Sequence, residues 1–260
     1  MRLSRVYIDA PLKLNALVHL PKETAHYLGN VLRLRVDDEL LLFNSQHGEF
    51  LARICAASKK SVEVELIEVR RELDADDELN RLGLHLILGL SRGDRMDFAV
   101  QKSTELGVTE ISPVYTEHGE VRLKPERLEK KLLHWRRIAI SACEQSGRLT
   151  VPSIHSPIPL ADLAQGSSAN KWMLEPSGSD SIPESLVEPV AEPMAEPMAE
   201  PTANRHIDLL IGPEGGFSPA EIDWARDNGF RIVSLGKRIL RTETAPIAAL
   251  AILQHKFGDM

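Results

Sequence analysis

The spacing of hydrophobic and polar residues changes at an acidic stretch, residues 73–80. Before this stretch, short segments either alternate between apolar and polar residues or run apolar and β-branched, which predicts β-strands. These segments are 5–9, 39–43, 49–56 and 61–69, and one further segment, 22–32, is a helix candidate. The pattern indicates a small β-barrel domain over residues 1–72.

After the acidic stretch, the predicted strands and helices alternate. The strands are 84–90, 111–115, 207–211 and 230–235, and the helices are 94–106, 125–144, one between Pro219 and Gly229, and one that begins at Thr244. Alternation of this kind is typical of an α/β domain with a parallel sheet. We therefore expect an α/β domain at 81–260, joined to the first domain by a linker at 73–80.

A four-residue repeat of Glu-Pro followed by two apolar residues starts at Glu188 and interrupts the second domain. A proline at every fourth position prevents a helix, and the segment has too few apolar groups for a core. We expect residues 177–205 to be a disordered low-complexity insert. Because the insert directly follows residues 172–176, the sequence leaves the path of the loop at 174–176 open.

The net charge of −7 comes from two local segments. Residues 73–80 carry −4 and residues 171–205 carry −5, so the rest of the chain carries +2. Acidity is therefore no argument against RNA as a partner, and +2 is no strong argument for it.

Cysteine, histidine and apolar runs exclude several classes of protein. The two cysteines, Cys55 and Cys143, have no partner at metal-binding spacing, and we expect both to be reduced and buried. The nine histidines show no metal-binding motif. We therefore expect no bound metal. No signal peptide and no apolar run long enough to span a membrane is found, which favours a cytoplasmic protein that does not contact the membrane.

Two loops carry the clearest chemical signal. The apolar strand 207–211 leads into Gly212, Gly215 and Gly216, which let the backbone turn sharply and approach a ligand. Ser218, Pro219 and Glu221 then predict a helix that starts with a capping box. A second loop, 235–245, follows the next strand. Ligands of open α/β sheets lie beyond the carboxyl ends of strands, so the two loops predict a ligand site.

Five segments, in this order along the chain, resemble one family. They are Ser-Arg-Gly-Asp-Arg-Met at 91–96, Gln-Lys-Ser-Thr-Glu-Leu-Gly at 101–107, Ala-Cys-Glu-Gln-Ser-Gly-Arg at 142–148, Ile-Gly-Pro-Glu-Gly-Gly at 211–216, and the loop 235–245. Together they resemble the RsmE family of the SPOUT superfamily, which methylates N3 of uridine in 16S ribosomal RNA. The resemblance implies a SPOUT-type α/β domain with a trefoil knot, a preceding PUA-like RNA-binding β-barrel, a homodimer, and S-adenosyl-L-methionine as cofactor.

The resemblance also implies which residues form the cofactor site. They are Leu174, Glu175, Pro176, Ile211, Gly212, Pro213, Glu214, Gly215, Gly216, Leu235, Gly236, Ile239, Leu240, Arg241, Thr242, Thr244 and Ala245. Glu243 is the candidate base for removing the uracil N3 proton, and Arg241 is the candidate cation that stabilises charge on O2 or O4. The alternative is that Arg241 and Glu243 pair with each other or cap the next helix. Glu214 is either a cofactor or partner-chain contact or a solvated carboxylate.

Candidate RNA contacts are arginines in both domains: Arg5, Arg33, Arg92, Arg95 and Arg148. For Arg92 and Arg95 the alternative is the polar start of a helix, where Ser91 and Asp94 resemble a capping box. For Arg148 it is capping of helix carbonyl groups. The expected partner is 16S rRNA in the assembled small subunit. Two rival functions stay open at this point: an RNA-binding protein without turnover, and an enzyme that acts on a small nucleotide.

Overall fold

The computed structural model describes residues 3–58, 61–73, 82–163, 168–178, 180–186 and 205–260. The chain divides into two compact units, Met1–Glu78 with Cys143–Val151, and Leu79–Ala142 with Pro152–Met260. Segment Cys143–Val151 thus corrects the prediction of one continuous domain at 81–260. It belongs to the first unit because hydrogen bonds connect it to residues of that unit, among them the bond from Val151 N–H to Ser45 Oγ.

The first unit contains one five-stranded sheet. Its strands are β1 (Arg5–Tyr7), β2 (Leu17–His19), β3 (Glu39–Asn44), β4 (Gly48–Ala57) and β5 (Val62–Arg71), in the order β1-β3-β4-β5-β2. Strands β1 and β3 are parallel and the other pairs are antiparallel. The strand predictions are confirmed except that β2, three residues long, was missed. Closure of this sheet into a barrel stays a prediction.

The predicted helix at 22–32 is confirmed as an α-helix, α1 (Lys22–His26), that continues as a π-helical turn at Tyr27–Val31. Leu28 of this turn is fully buried and packs in the core of the first unit with Leu40, Leu42 and other strand residues. Alternation along β4 buries Ile54 and exposes Cys55, so the expectation of a buried Cys55 is wrong, whereas Cys143 is buried.

The second unit contains a seven-stranded sheet whose pairings are all parallel. Its strands are β6 (Gly83–Gly89), β7 (Glu110–Tyr115), β8 (Ser153–Ile154), β9 (Ile158–Pro159), β10 (Asn170–Leu174), β11 (His206–Ile211) and β12 (Arg231–Val233). Their order is β12-β10-β11-β6-β7-β8, with β9 also paired to β7. The predicted α/β fold with a parallel sheet is confirmed. The trefoil knot stays a prediction.

Among the described residues, four α-helices follow β6 along the chain. They are α2 (Gly93–Glu105), α3 (Pro125–Ser146), α4 (Pro219–Asp227) and α5 (Thr244–Phe257). The predicted capping box of α4 is confirmed: the Ser218 hydroxyl accepts from Glu221 N–H, and the Glu221 carboxylate accepts from Ser218 N–H. No helix among the residues that the structure describes is long and apolar enough to cross a membrane.

The capping box predicted for α2 is wrong. Arg92 occupies the N-cap position without a side-chain capping bond, and the buried Ser91 donates its hydroxyl to the carbonyl of Gly89. The helix starts one residue later than a cap at Ser91 requires.

The predicted start of the disordered insert is also wrong. Asp180 forms a parallel bridge with Val233, Ile182 is buried, and Glu184 contacts Lys256 at 2.6 Å. Backbone pairing and burial of an apolar side chain thus extend ordered structure beyond residue 177. The Glu-Pro repeat itself and most of the linker, residues 74–80, lie outside the described residues.

Candidate active site

A cavity of about 450 Å³ lies at the carboxyl ends of β10, β11 and β12. These strands are parallel neighbours, so the loops that follow Leu174, Ile211 and Val233 leave the sheet at one edge. Together these loops line the cavity. Of the residues predicted to bind the cofactor, all line it except Gly215 and Thr244.

Besides Glu243, the candidate base, four further residues line the cavity that were not predicted to bind the cofactor: Arg95, Phe217, Ser234 and Arg238. Phe217, Ser234 and Arg238 are chain neighbours of predicted residues, so continuity of the two loops was the signal that could have identified them. Arg95 comes from helix α2, far away in the sequence.

Backbone geometry explains why glycine is needed in the first loop. Gly216 has φ +68°, a left-handed conformation that residues with a Cβ rarely adopt. A Cβ atom at Gly212 would lie 3.0 Å from the ring of Phe217. The loop can therefore fold over Phe217 while its peptide groups remain at the cavity.

Gly215 lines a second cavity of about 640 Å³, together with Arg92, Arg95, Glu214 and others. A Cβ at Gly215 would lie 2.8 Å from the carbonyl oxygen of His118. Arg95 and Glu214 line both cavities. Thr244, in contrast, is the exposed first residue of α5.

Arg95 and Glu214 form an ion pair between these two cavities. Arg95 Nη1 donates to Glu214 Oε1 at 2.6 Å, and this bond raises the pKa of Arg95. Burial alone would raise the pKa of Glu214, but hydrogen bonds from its own backbone, Arg95 and the backbone of Arg92 outweigh it and lower the pKa. Glu214 is thus neither a free solvated carboxylate nor an acid that is neutral at pH 7.

Glu243 lines the cavity, and one of its carboxylate oxygens is buried without a hydrogen-bond partner among the described residues. Its side chain is 18% exposed, and the unpaired oxygen is Oε2. Glu243 Oε1 lies 3.9 Å from Arg241 Nη1, which is an electrostatic contact but too long for a hydrogen bond. Glu243 is the N-cap residue of α5 and makes no side-chain capping bond, so the helix-capping alternative is wrong.

Arg241 differs from Glu243 in that its side chain is 79% exposed. Its guanidinium can therefore move toward a bound substrate with little loss of packing. The loop places an exposed cation beside a carboxylate whose Oε2 lacks a hydrogen-bond donor among the described residues, and both residues line the same cavity.

Arg5, predicted to contact RNA, is occupied by contacts within the first unit. Its side chain is 7% exposed, and its donors are used inside the first unit: Nε bonds Glu49 at 2.5 Å, and Nη1 bonds the carbonyl of Cys143 at 2.6 Å. Arg5 also bonds the carbonyl of Glu144, and Arg71 bonds the carbonyl of Gly147. Arg5 and Arg71 thus bind carbonyl groups at the end of α3, a role that we had considered for Arg148.

The other predicted RNA contacts differ in exposure. Arg33 is exposed, and so is Arg92, which forms an ion pair with Glu120 at 2.5 Å. Arg95 is partly exposed, and Arg148 is half-buried. Exposure keeps Arg33, Arg92 and Arg95 available to a large polyanion.

Comparison with known proteins relates the chain to RNA methyltransferases. The RNA methyltransferase domain family matches residues 78–254, and the RNA methyltransferase PUA domain family matches residues 20–67. Ribosomal RNA small subunit methyltransferase E of Buchnera aphidicola subsp. Schizaphis graminum is 35% identical to the chain, over 100% of the chain and 98% of the relative. The chain belongs to the ribosomal RNA small subunit methyltransferase E family.

Other family members agree over the whole length. The family member of Rickettsia conorii is 33% identical over 96% of this chain and 95% of its own length. The crystal structure of the Neisseria gonorrhoeae family member bound to S-adenosyl methionine is 36% identical and covers 100% of both chains, with a TM-score of 0.81. A Legionella pneumophila protein solved with the cofactor SAM is also 36% identical, covers 98% of both chains and has a TM-score of 0.84. The predicted membership of the RsmE family is confirmed.

Proposed function

We propose that this chain transfers a methyl group from S-adenosylmethionine to N3 of a specific uridine in 16S rRNA of the small ribosomal subunit. One observation carries the proposal: three loops at the ends of parallel strands surround a single cavity that also holds Arg241 and Glu243. Family membership supports the RNA substrate, and the cofactor-bound relatives support S-adenosylmethionine.

The cavity fits this cofactor in size and in chemistry. Its volume of about 450 Å³ lies within the range of roughly 300–1,000 Å³ that is usual for small-molecule sites. Leu174, Ile211 and Leu240 offer apolar surface for the adenine, and the glycine-containing loops offer backbone donors and acceptors for ribose and methionine. When bound, S-adenosylmethionine supplies an activated methyl group on a sulfonium ion.

Removal of the uracil N3 proton is the task that falls to the protein. The Oε2 atom of Glu243 has no donor among the described residues, and we assign it as the acceptor of this proton. Arg241 can stabilise negative charge that builds up on O2 or O4 of the base. The loops would also hold the uracil nitrogen in line with the methyl group, which reduces the entropic cost of the reaction.

We propose that the RNA strand reaches the cofactor cavity by way of the second cavity. It carries Arg92 and Arg95, and it shares Arg95 and Glu214 with the cofactor cavity. Phosphate contacts by Arg92, Arg95, Arg33 and Arg148 would position the RNA without selecting a sequence. The proposal includes a homodimer, a trefoil knot, a PUA-like RNA-binding barrel, an assembled small subunit as substrate and a cytoplasmic location.

The test is transfer of labelled methyl from S-adenosylmethionine to small ribosomal subunits that lack this modification, with the product nucleoside identified by mass spectrometry. We expect 3-methyluridine. Methyl on another nucleoside would overturn the N3 assignment, and cofactor binding without any transfer to subunits or naked rRNA would overturn the activity.

Variants of the cavity test the assigned roles. We expect Glu243→Gln to lower turnover by roughly 10²–10⁴-fold, the usual contribution of a general base. Arg241→Ala should lower turnover by about 10²-fold, and both variants should bind the cofactor as the native chain does. Arg226→Ala is the matched control, since Arg226 is an exposed arginine on α4 that pairs with Asp223 outside the cavity. Native turnover in Glu243→Gln would remove Glu243 as the base.

A further inference from the structure

Three side chains with metal-binding atoms meet at the beginning of the two central strands. His85 lies near the start of β6, and His206 and Asp208 lie at the start of β11. One ligand atom from each lies within 4.8 Å of the others. Asp208 Oδ1 is 2.9 Å from His85 Nδ1 and 3.3 Å from His206 Nε2.

The sheet brings these residues together although His85 and Asp208 are 123 positions apart. The two residues are directly paired in the parallel register of β6 and β11, so their side chains project from the same face. His206 is two residues before Asp208 and shares that face. Gly83 is paired with His206, and a Cβ at Gly83 would lie 2.6 Å from His206 Nδ1, so the glycine leaves room for the imidazole.

This cluster is separate from the proposed active site. Strand β11 begins at His206 and ends at Ile211, which lines the cofactor cavity. None of His85, His206 and Asp208 lines that cavity. The proposed methyl transfer therefore does not use these three side chains.

The three side chains are largely enclosed by the protein. The Asp208 side chain is 6% exposed, and the His85 and His206 side chains are 16% and 26% exposed. The partial exposure of His206 leaves a route for an ion and for a water ligand.

A further polar contact orients His85. Its Nε2 atom lies 2.8 Å from the hydroxyl of the buried Ser112 on β7. This contact fixes the ring with Nδ1 facing Asp208. Histidines that bind metals are usually held in this way by a hydrogen bond to the other ring nitrogen.

We propose that His85 Nδ1, His206 Nε2 and an oxygen of Asp208 bind one Zn²⁺ ion, which clamps β6 to β11. Two imidazole nitrogens and a carboxylate are typical zinc ligands, whereas Mg²⁺ and Ca²⁺ prefer oxygen ligands alone. Zinc bonds of roughly 2.0–2.2 Å in a tetrahedron place ligand atoms about 3.3–3.6 Å apart. The distances of 2.9 and 3.3 Å require only a small adjustment of the side chains. Any proton held on His85 Nδ1 or His206 Nε2 leaves to solvent on binding, because zinc binds the deprotonated imidazole nitrogen.

The test is titration of the full chain, stripped with a chelator, with Zn²⁺ alone against a chromophoric competitor. We expect one ion per chain and a higher midpoint of thermal unfolding. Co²⁺ as a spectroscopic substitute should give the visible absorption of a four-coordinate site. His85→Gln and Asp208→Asn should weaken Zn²⁺ binding at least 100-fold.

Two further variants keep the result interpretable. His206→Gln retains the contact of Asp208 with His85, so it tests binding if Asp208→Asn fails to fold. His134→Gln is the matched control, because His134 is an exposed histidine on α3 that pairs with Asp97. Absence of Zn²⁺ binding by the folded native chain, or equal binding by His206→Gln and native chains, would overturn the site. Preference for Mg²⁺ over Zn²⁺ would overturn the choice of ion.

Discussion

Replacement of Arg5 by methionine tests whether this arginine holds the first unit together or contacts RNA. Arg5 bonds Glu49 and the carbonyl groups of Cys143 and Glu144, and both charged side chains are nearly fully buried. Methionine keeps much of the side-chain volume but removes the charge and the donors. The variant should therefore leave the buried carboxylate of Glu49 with one partner fewer.

The expected loss of stability follows from the remaining contacts. Removing one member of a buried ion pair typically costs about 3–5 kcal/mol. Arg71 still donates two hydrogen bonds to Glu49, each at 3.0 Å, so we expect the lower end, about 3 kcal/mol. This loss of stability corresponds to a roughly 100-fold larger equilibrium constant for unfolding of the first unit.

The pH dependence should change as well. Burial raises the pKa of Glu49, but hydrogen bonds from Arg71 and Arg5 and their charges outweigh it, so the pKa is lowered. A lowered pKa contributes stability that is present above the ordinary carboxyl pKa and is lost as the pH falls through the folded-state value. Without Arg5 the pKa of Glu49 should rise, so this pH-dependent contribution should become smaller.

Hydrogen exchange followed by mass spectrometry is the suitable assay, because a single unfolding midpoint is poorly defined for a chain with two units. Amides of β1, β3 and β4 should exchange about 100-fold faster in Arg5→Met at neutral pH, and amides of β10 and β11 should not change. Arg35→Met is the control, since Arg35 is an exposed arginine of the same unit that we assign no role in RNA binding. Native exchange in Arg5→Met, together with weaker rRNA binding, would refute the structural role and restore Arg5 as an RNA contact.

Two other local contacts lead to predictions. Arg95→Gln should raise the pKa of Glu214 toward that of an ordinary carboxyl group, because the hydrogen bond from the guanidinium helps to hold this pKa low. NMR titration of the Glu214 carboxyl group measures the change. An unchanged pKa would contradict the role of Arg95 in lowering it. As the native pKa is lowered, the stability from this pair is present above the ordinary carboxyl pKa and is lost as the pH falls through the folded-state value. Ser218→Ala should destabilise α4 by about 1 kcal/mol, because the Glu221 N–H loses its acceptor, and amide exchange within α4 measures the loss. Unchanged amide exchange in α4 would mean that the capping bond does not stabilise this helix.

Several structural features were predicted correctly from short stretches of the sequence. Alternation of apolar residues predicted the long strands of the first unit, and the apolar run at 207–211 predicted a buried strand that is observed as His206–Ile211. The capping box at Ser218 was predicted because all its groups lie within four consecutive residues. The two glycine loops were placed correctly since parallel strands deliver their following loops to one edge.

Other features depend on contacts between residues that are far apart in sequence. Strands β2, β8 and β9 have two or three residues, too few for a periodic pattern, and exist because longer neighbours pair with them. Ile182 is buried near the insert although the adjacent proline repeat suggests disorder. No local pattern distinguishes these cases.

The amino-acid sequence by itself determined the longer strands of the first unit, the alternation of strands and helices in the second, and the two glycine-containing loops, because hydrogen bonding and backbone sterics act over a few residues. Only the tertiary structure decided the burial of Arg5, the unpaired oxygen of Glu243, and the meeting of His85 with Asp208. Those features depend on which distant groups share a low-dielectric interior. That arrangement is set by the packing of the whole unit and by no short segment of the chain.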